Sequence, residues 1–166
     1  MKPRRLLGVP TLDYRAICSG CKPYPQSVVR KAMKVHTIEQ AVRYAETDRM
    51  KVVHHSTYLL WYELGRTSLL EATGFPYHEL ERSGTLFPVI EYSCRLIGAA
   101  DYGDRVRVET TIDSLRSRTV VFAYRVLRGQ TLIATGKTKH IAVDSDHKTH
   151  RMSNALINAL RPYAAV

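Results

Sequence analysis

Residues 58–74, YLLWYELGRTSLLEATG, decide the fold. Apolar and aromatic side chains recur in this stretch at helical spacing over four turns: Leu59, Tyr62, Leu69 and Ala72. Gly74 then ends the pattern, as a glycine after the last turn commonly ends a helix. We therefore predict one long helix over Tyr58–Thr73 with a buried apolar side.

Strand patterns surround this helix. One strand is predicted to begin at Val35, and four more are predicted within residues 86–97, 104–115, 119–129 and 131–145. Two of them alternate with the period of a strand that has one buried face, and the buried positions are Val106, Val108, Thr110, Ile112, Val120, Phe122, Tyr124 and Val126. The order of elements predicts an α+β domain in which the helix packs on a five-stranded antiparallel sheet.

Three local features refine this prediction. Gly129-Gln130 indicates a hairpin between the last two strands. The apolar residues at the two ends of the final strand are out of phase, which predicts a bulge at Gly136. Residues 153–163, SNALINALRPY, are typical of a short amphipathic helix with Ser153 as its N-cap.

The chain has a net charge of +10, but the charge is unevenly distributed. Residues 1–34 hold eight basic side chains against one acidic, which leaves a net charge of +3 for the rest of the chain. We predict that residues 1–33 are a basic, dispensable extension and that residues 34–166 form the domain. A mildly cationic domain is suited to a small polyanion, and its charge gives no support to nucleic-acid binding.

The composition also excludes other classes of protein. No apolar run approaches the roughly 18 residues that a membrane-spanning helix needs, and the basic start lacks the apolar stretch of a secretory signal. The three cysteines, including the pair Cys18 and Cys21, cannot form a closed set of disulfides and lack the partners of a zinc site. We expect a cytoplasmic protein with reduced thiols and no bound metal.

The chemistry is concentrated in residues 46–66, ETDRMKVVHHSTYLLWYELGR. Asp48 precedes the helix by ten residues, which places a carboxylate near the free N–H groups of a helix N-terminus. Thioester hydrolysis needs these two parts. A carboxylate attacks the carbonyl carbon or activates water, and an N–H group stabilises the developing oxyanion.

This segment resembles the signature of the 4-hydroxybenzoyl-CoA thioesterase superfamily, which is D-T-D, a short linker, V-V-(Y/H)-H-x-x-Y and an aromatic helix. The branch it is most similar to is that of the Tol-Pal-associated acyl-CoA thioesterases, which is also suggested by TGKTKHIAVD in residues 135–144. The resemblance implies a hotdog fold and the hydrolysis of an acyl-CoA thioester. It also implies that Asp48 is the catalytic carboxylate, that the N–H of His55 polarises the carbonyl group, and that Tyr58 lies beside the acyl pocket. A homodimer or homotetramer with active sites between subunits is expected, without a metal or an organic cofactor.

The sequence departs from that signature at two positions. Lys51 stands where the family usually has glycine, and because lysine tolerates fewer backbone conformations we expect a different loop shape. His54 gives a His54-His55 pair, which we interpret as a marker of substrate class.

Each candidate residue also has an ordinary structural explanation. Asp48 has the position of a residue that caps the following turn. Glu63 is a second candidate catalytic acid, since some hotdog enzymes use a helix glutamate, but Arg66 three residues on favours an ion pair. The basic side chains on and after the last strand are suited either to the phosphates of CoA or to a solvated surface: Lys137, Lys139 and Arg151.

Two other functions fit the same fold. A dehydratase acting on acyl chains held by a carrier protein would use His55 with Glu63. A non-catalytic acyl-CoA-binding protein would retain the fold with Asp48 directed away from any pocket. The Asp48 motif favours the thioesterase over both alternatives.

Overall fold

The computed structural model describes residues 33–165, so nearly all of the predicted extension, with Cys18 and Cys21, lies outside the described residues. In chain order the elements are β1 (His36–Ala41), α1 (Thr57–Ala72), α2 (Tyr77–Arg82), β2 (Val89–Leu96), β3 (Arg105–Leu115), β4 (Thr119–Arg128), β5 (Thr131–Ile141) and α3 (Asn154–Leu160). Single 3-10 turns occupy Tyr44–Glu46 and Arg161–Tyr163.

The five strands form one sheet in the order β1-β3-β4-β5-β2, and all neighbouring strands are antiparallel. Helix α1 packs on one face of this sheet, against β1, β3 and β4. The eight alternating positions predicted on β3 and β4 are all buried, which confirms the strand period. A long helix held by a five-stranded antiparallel sheet is the hotdog arrangement, as predicted.

The ends of the strands and helices also follow local sequence. Arg128 pairs with Thr131 across a two-residue loop, and Gly129 adopts φ 59°, as the predicted hairpin requires. Ser153 caps α3 by accepting a hydrogen bond from the N–H of Leu156 at 3.2 Å. Within the described residues, no helix is both long enough and apolar enough to cross a membrane.

The bulge predicted at Gly136 was wrong. The register shifts where Val126 pairs with Ala134 and Leu127 pairs with Leu132, so Ile133 is the extra residue. Gly136 pairs regularly with Cys94 and Tyr124 on the neighbouring strands. A glycine is needed at this position for a different reason. A Cβ atom there would lie 2.5 Å from both the main-chain oxygen of Ser93 and a ring carbon of Tyr62, so the glycine admits the tyrosine ring onto the sheet.

A buried polar chain crosses the core beside α1. His140 donates from Nδ1 to the carbonyl of Phe87 (3.0 Å) and accepts at Nε2 from the hydroxyl of Thr138 (2.8 Å). The Tyr124 hydroxyl lies 2.7 Å from the Thr138 hydroxyl and is free to donate to it. Burial, reinforced by the charge of Arg66 and only partly opposed by the bond to Phe87, lowers the pKa of His140 to about 4.

This buried histidine predicts a pH dependence of stability. Because the unfolded chain binds a proton near pH 6.5 and the folded chain only near pH 4, the free energy of unfolding should fall as pH decreases between these values. Between pH 7 and pH 5 the wild type should lose about 1–2 kcal/mol more than His140→Gln, which keeps a donor and an acceptor without titrating. Urea denaturation at both pH values measures the difference, and equal losses in the two proteins would contradict it.

Candidate active site

Residues 47–56 form a compact loop between β1 and α1. The loop is closed by a bridge between Thr47 and Val53. Inside it, the N–H of Asp48 donates to Val52 (2.9 Å) and the N–H of Lys51 donates to the carbonyl of Asp48 (2.9 Å). The Val53 N–H is bonded to Ala100, which ties the loop to the connection between β2 and β3. The loop therefore has a fixed main-chain shape.

The Asp48 carboxylate uses its two oxygens differently. Oδ1 accepts a hydrogen bond from the N–H of Met50 at 2.7 Å, so the turn-capping role expected from sequence is present. Oδ2 accepts no hydrogen bond from any residue within 33–165. The side chain is half-buried. One oxygen thus fixes the orientation of the carboxylate, while the other has no hydrogen-bond donor among the described residues.

Lys51 has φ 63°, in the left-handed region that glycine favours. The lysine therefore occupies a glycine-like turn, at the position where the family signature usually has glycine. A side chain in this region costs on the order of 1–2 kcal/mol. The sequence therefore has lysine in place of the usual glycine, but the backbone keeps a conformation that glycine adopts easily.

The two adjacent histidines have different surroundings. His54 Nδ1 accepts a hydrogen bond from the Ser56 N–H (3.3 Å), so the Ser56 hydroxyl, 2.7 Å away, is the donor to the same nitrogen. The ring of His55 is exposed and lies 4.0 Å from that of His54. No acceptor for the His55 N–H occurs in the described part of the chain, and this N–H lies two residues before the first helical residue, Thr57. It is therefore free to meet a carbonyl oxygen.

Two other predicted site residues, Tyr58 and Glu63, lie on α1. Tyr58 is buried, packs edge-on against Trp61 with ring centroids 5.1 Å apart, and belongs to the core of the single chain. Glu63 is 61% exposed and pairs with Arg66 at 3.4 Å, so the predicted ion pair is present. Among the described residues, no side-chain contact joins Glu63 to the Asp48 loop.

The predicted phosphate-binding residues lie elsewhere. Lys137 and Lys139 alternate with the inward-facing Thr138 and so lie on the sheet face opposite α1. They pair with Asp113 at 2.9 Å and with Glu91 at 3.5 Å. Arg151 is exposed, and its guanidinium forms no ion pair with another described residue. Within residues 33–165, no observed hydrogen bond or ion pair joins these side chains to Asp48.

Glu46 is the site residue that sequence reasoning missed. Its side chain is 5% exposed, and its carboxylate accepts hydrogen bonds from the Arg43 N–H (2.7 Å), the Arg43 guanidinium (3.0 Å) and the Trp61 indole N–H (3.3 Å). Burial alone would raise the pKa of the Glu46 carboxyl, but the hydrogen bonds from Arg43 and Trp61 outweigh it and hold the pKa below its usual range. The signal in the sequence was an acidic residue two positions before Asp48, which alone does not indicate burial.

Comparisons with known proteins identify the family of this chain and its fold. The family model described as the thioesterase-like superfamily matches residues 42–160. The "Putative acyl-CoA thioesterase YneP" of Bacillus subtilis is 36% identical over 115 residues, which are 69% of this chain and 83% of that protein.

Solved structures agree with this match. The hypothetical protein TT1821 of Thermus thermophilus has a TM-score of 0.74 and 38% identity, covering 78% of this chain and 98% of that one. A 1,4-dihydroxy-2-naphthoyl-CoA thioesterase from Synechocystis has a TM-score of 0.72 at 20% identity, covering 77% of this chain and 96% of that one, and so supports the fold alone.

The chain belongs to the thioesterase-like superfamily. The predicted class of enzyme, a thioester hydrolase with a hotdog fold, is confirmed. The proposed Tol-Pal-associated branch stays a prediction.

The left-handed lysine gives a test of the loop. Lys51→Gly should leave the free energy of unfolding unchanged or raise it by up to about 1 kcal/mol, because relief of strain is partly offset by the greater freedom of the unfolded chain. Lys51→Ala, which removes the charge but keeps Cβ, is the control and should give no such gain. Denaturant unfolding measures both, and a clearly less stable glycine variant would show that the loop does not need this conformation.

Proposed function

We propose that this protein hydrolyses acyl-CoA thioesters with Asp48 as nucleophile or general base and the His55 N–H as oxyanion donor. One observation carries the proposal: a half-buried carboxylate with one oxygen held by Met50 N–H and the other open, in the loop that leads to a helix N-terminus. The similarity to YneP supports acyl-CoA as the class of substrate.

The chemistry follows from these two groups. The His55 N–H would bind the thioester oxygen and stabilise the negative charge that develops on it, an effect worth about 3–4 kcal/mol when well aligned. The open oxygen of Asp48 would either attack the carbonyl carbon, releasing CoA thiolate and leaving an anhydride that water hydrolyses, or remove a proton from an attacking water. Both routes end in a free acid and CoA, and neither step requires a metal or an organic cofactor.

The phosphates of CoA would meet the basic side chains near the last strand. Arg151 is the strongest candidate, because its guanidinium is exposed and without an ion pair among residues 33–165. Lys137 and Lys139 would first have to leave Asp113 and Glu91, which costs little because exposed ion pairs contribute at most about 1 kcal/mol. No observed contact joins these three residues to the Asp48 loop within residues 33–165, and we propose that a second subunit completes the site.

An assembly of two chains is supported by the edge of the sheet. β2 is an edge strand, and seven of its eight residues are exposed. Such an edge needs a partner or a cover. It carries three exposed apolar side chains, and α1 exposes two more: Val89, Ile90, Tyr92, Leu60 and Leu64. We propose that two copies pair through β2 to form a homodimer, on which a tetramer would be built.

The dimer is tested by a charge placed on this strand. Tyr92→Glu should sediment as a monomer at micromolar concentration, because a buried unpaired carboxylate is unfavourable in an apolar interface. Tyr102→Glu is the matched control, since Tyr102 in the β2–β3 connection is also 62% exposed, and it should remain dimeric. A monomeric wild type, or a dimeric Tyr92→Glu protein, would disprove this interface.

The catalytic assignment is tested by two isosteric substitutions. Asp48→Asn should keep the fold and the binding of acyl-CoA while kcat falls on the order of 10²–10⁴-fold, the range that a positioned acid–base group supplies. Glu63→Gln should lose far less, because its carboxylate is exposed and paired with Arg66. Release of free CoA from short aliphatic, long aliphatic and aryl substrates would be followed in each protein.

The alternatives predict different outcomes. A dehydratase would lose activity with Glu63→Gln and retain it with Asp48→Asn, although within residues 33–165 no contact joins Glu63 to His55. A non-catalytic binding protein would bind acyl-CoA and release no CoA from any member of the panel.

A further inference from the structure

Glu46 lies at a junction of the candidate active site. The residue ends the 3-10 turn Tyr44–Glu46 and lies two positions before Asp48. Besides the three hydrogen bonds to its carboxylate, its main-chain carbonyl accepts from the His54 N–H at 2.8 Å and lies 3.5 Å from the Thr57 hydroxyl. One residue therefore contacts the start of the loop, the end of the loop and the helix that follows.

These contacts bear on the two groups that the reaction needs. His54 is adjacent to His55, so the bond from His54 N–H to Glu46 fixes the chain just before the proposed oxyanion donor. The bond from Trp61, which is completely buried in α1, fixes the Glu46 side chain to the helix. Besides the main-chain bridge between Thr47 and Val53, a second path of hydrogen bonds therefore joins the two sides of the loop, and this path runs through Glu46 to α1.

We propose that Glu46 is the positioning residue of the thioesterase site and holds the Asp48 carboxylate and the His55 N–H at the distance that catalysis requires. The proposal rests on the function proposed above. The strength of the attachment comes from the buried bond to Trp61 and the part-buried bond to the Arg43 N–H, because the Arg43 guanidinium is 68% exposed and its ion pair is screened by solvent. A displacement of about 1 Å in a site of this kind costs on the order of 10² in rate.

Glu46→Gln is the substitution that tests this role. Both carboxylate oxygens face donors, so in either orientation the amide nitrogen of glutamine would oppose an N–H group. We expect kcat to fall about 10- to 100-fold while KM changes less than about 3-fold, because the CoA contacts lie elsewhere. Glu46→Asp keeps an acceptor-only carboxylate and should recover at least about a third of the wild-type kcat.

A loss of stability alone must be separated from a loss of positioning. Ser153→Ala removes the N-cap of α3 and should lower the melting temperature while leaving kcat unchanged. If Glu46→Gln does not fold, Trp61→Phe keeps an aromatic ring while removing one donor to Glu46, and should give a smaller loss of kcat, about 3- to 10-fold, at unchanged KM.

The decisive measurement combines the substitutions. If Glu46 acts through Asp48, adding Glu46→Gln to Asp48→Asn should lower single-turnover hydrolysis by no more than about 3-fold. Full multiplication of the two losses, or a folded Glu46→Gln protein with the wild-type kcat, would overturn the positioning role while the proposed function stands. A wild type that hydrolyses no acyl-CoA, or an Asp48→Asn protein with the wild-type rate, would overturn the proposed function itself.

Discussion

The contact between α1 and the sheet is the interaction on which the rest of the structure depends. The ring of Tyr62 stacks on that of Tyr124, with centroids 4.4 Å apart and planes 6° from parallel, and it lies directly over Gly136. At Gly65 a Cβ atom would be 2.5 Å from the hydroxyl of Thr110, so the helix backbone also approaches the sheet closely. Two glycines, one in each layer, set the distance between helix and sheet and thereby the position of the helix N-terminus.

The candidate active-site loop, residues 47–56, takes its position from this packing. α1 supplies the fixed end through Trp61, and Glu46 connects the loop to it through both its carboxylate and its carbonyl group. The loop itself is built from main-chain hydrogen bonds and one left-handed residue, Lys51. The proposed catalytic groups are therefore held by main-chain hydrogen bonds and by the buried carboxylate of Glu46.

The same architecture leaves one edge incomplete. β1 and β2 are the outer strands of the sheet, and the apolar side chains of Val89, Ile90 and Tyr92 on β2 are exposed in the single chain. Exposed apolar area on an unpaired strand is unfavourable in water and invites pairing. The proposed dimer would cover these apolar side chains.

The sequence by itself determined the elements, their order and the buried faces of β3 and β4, because these depend on local periodicity. A short motif also singled out the segment that holds the candidate catalytic residues. Only the tertiary structure showed the structural roles of Gly136 and Glu46. Gly136 was predicted to form a bulge, but it makes room for Tyr62, a neighbour 74 positions away in the chain that no local pattern reveals. Glu46 looks like a surface acid in sequence, but its carboxylate is buried and accepts a hydrogen bond from the indole N–H of Trp61, 15 positions away. Contacts between residues distant in sequence arise from packing, so they could be read only from the folded chain.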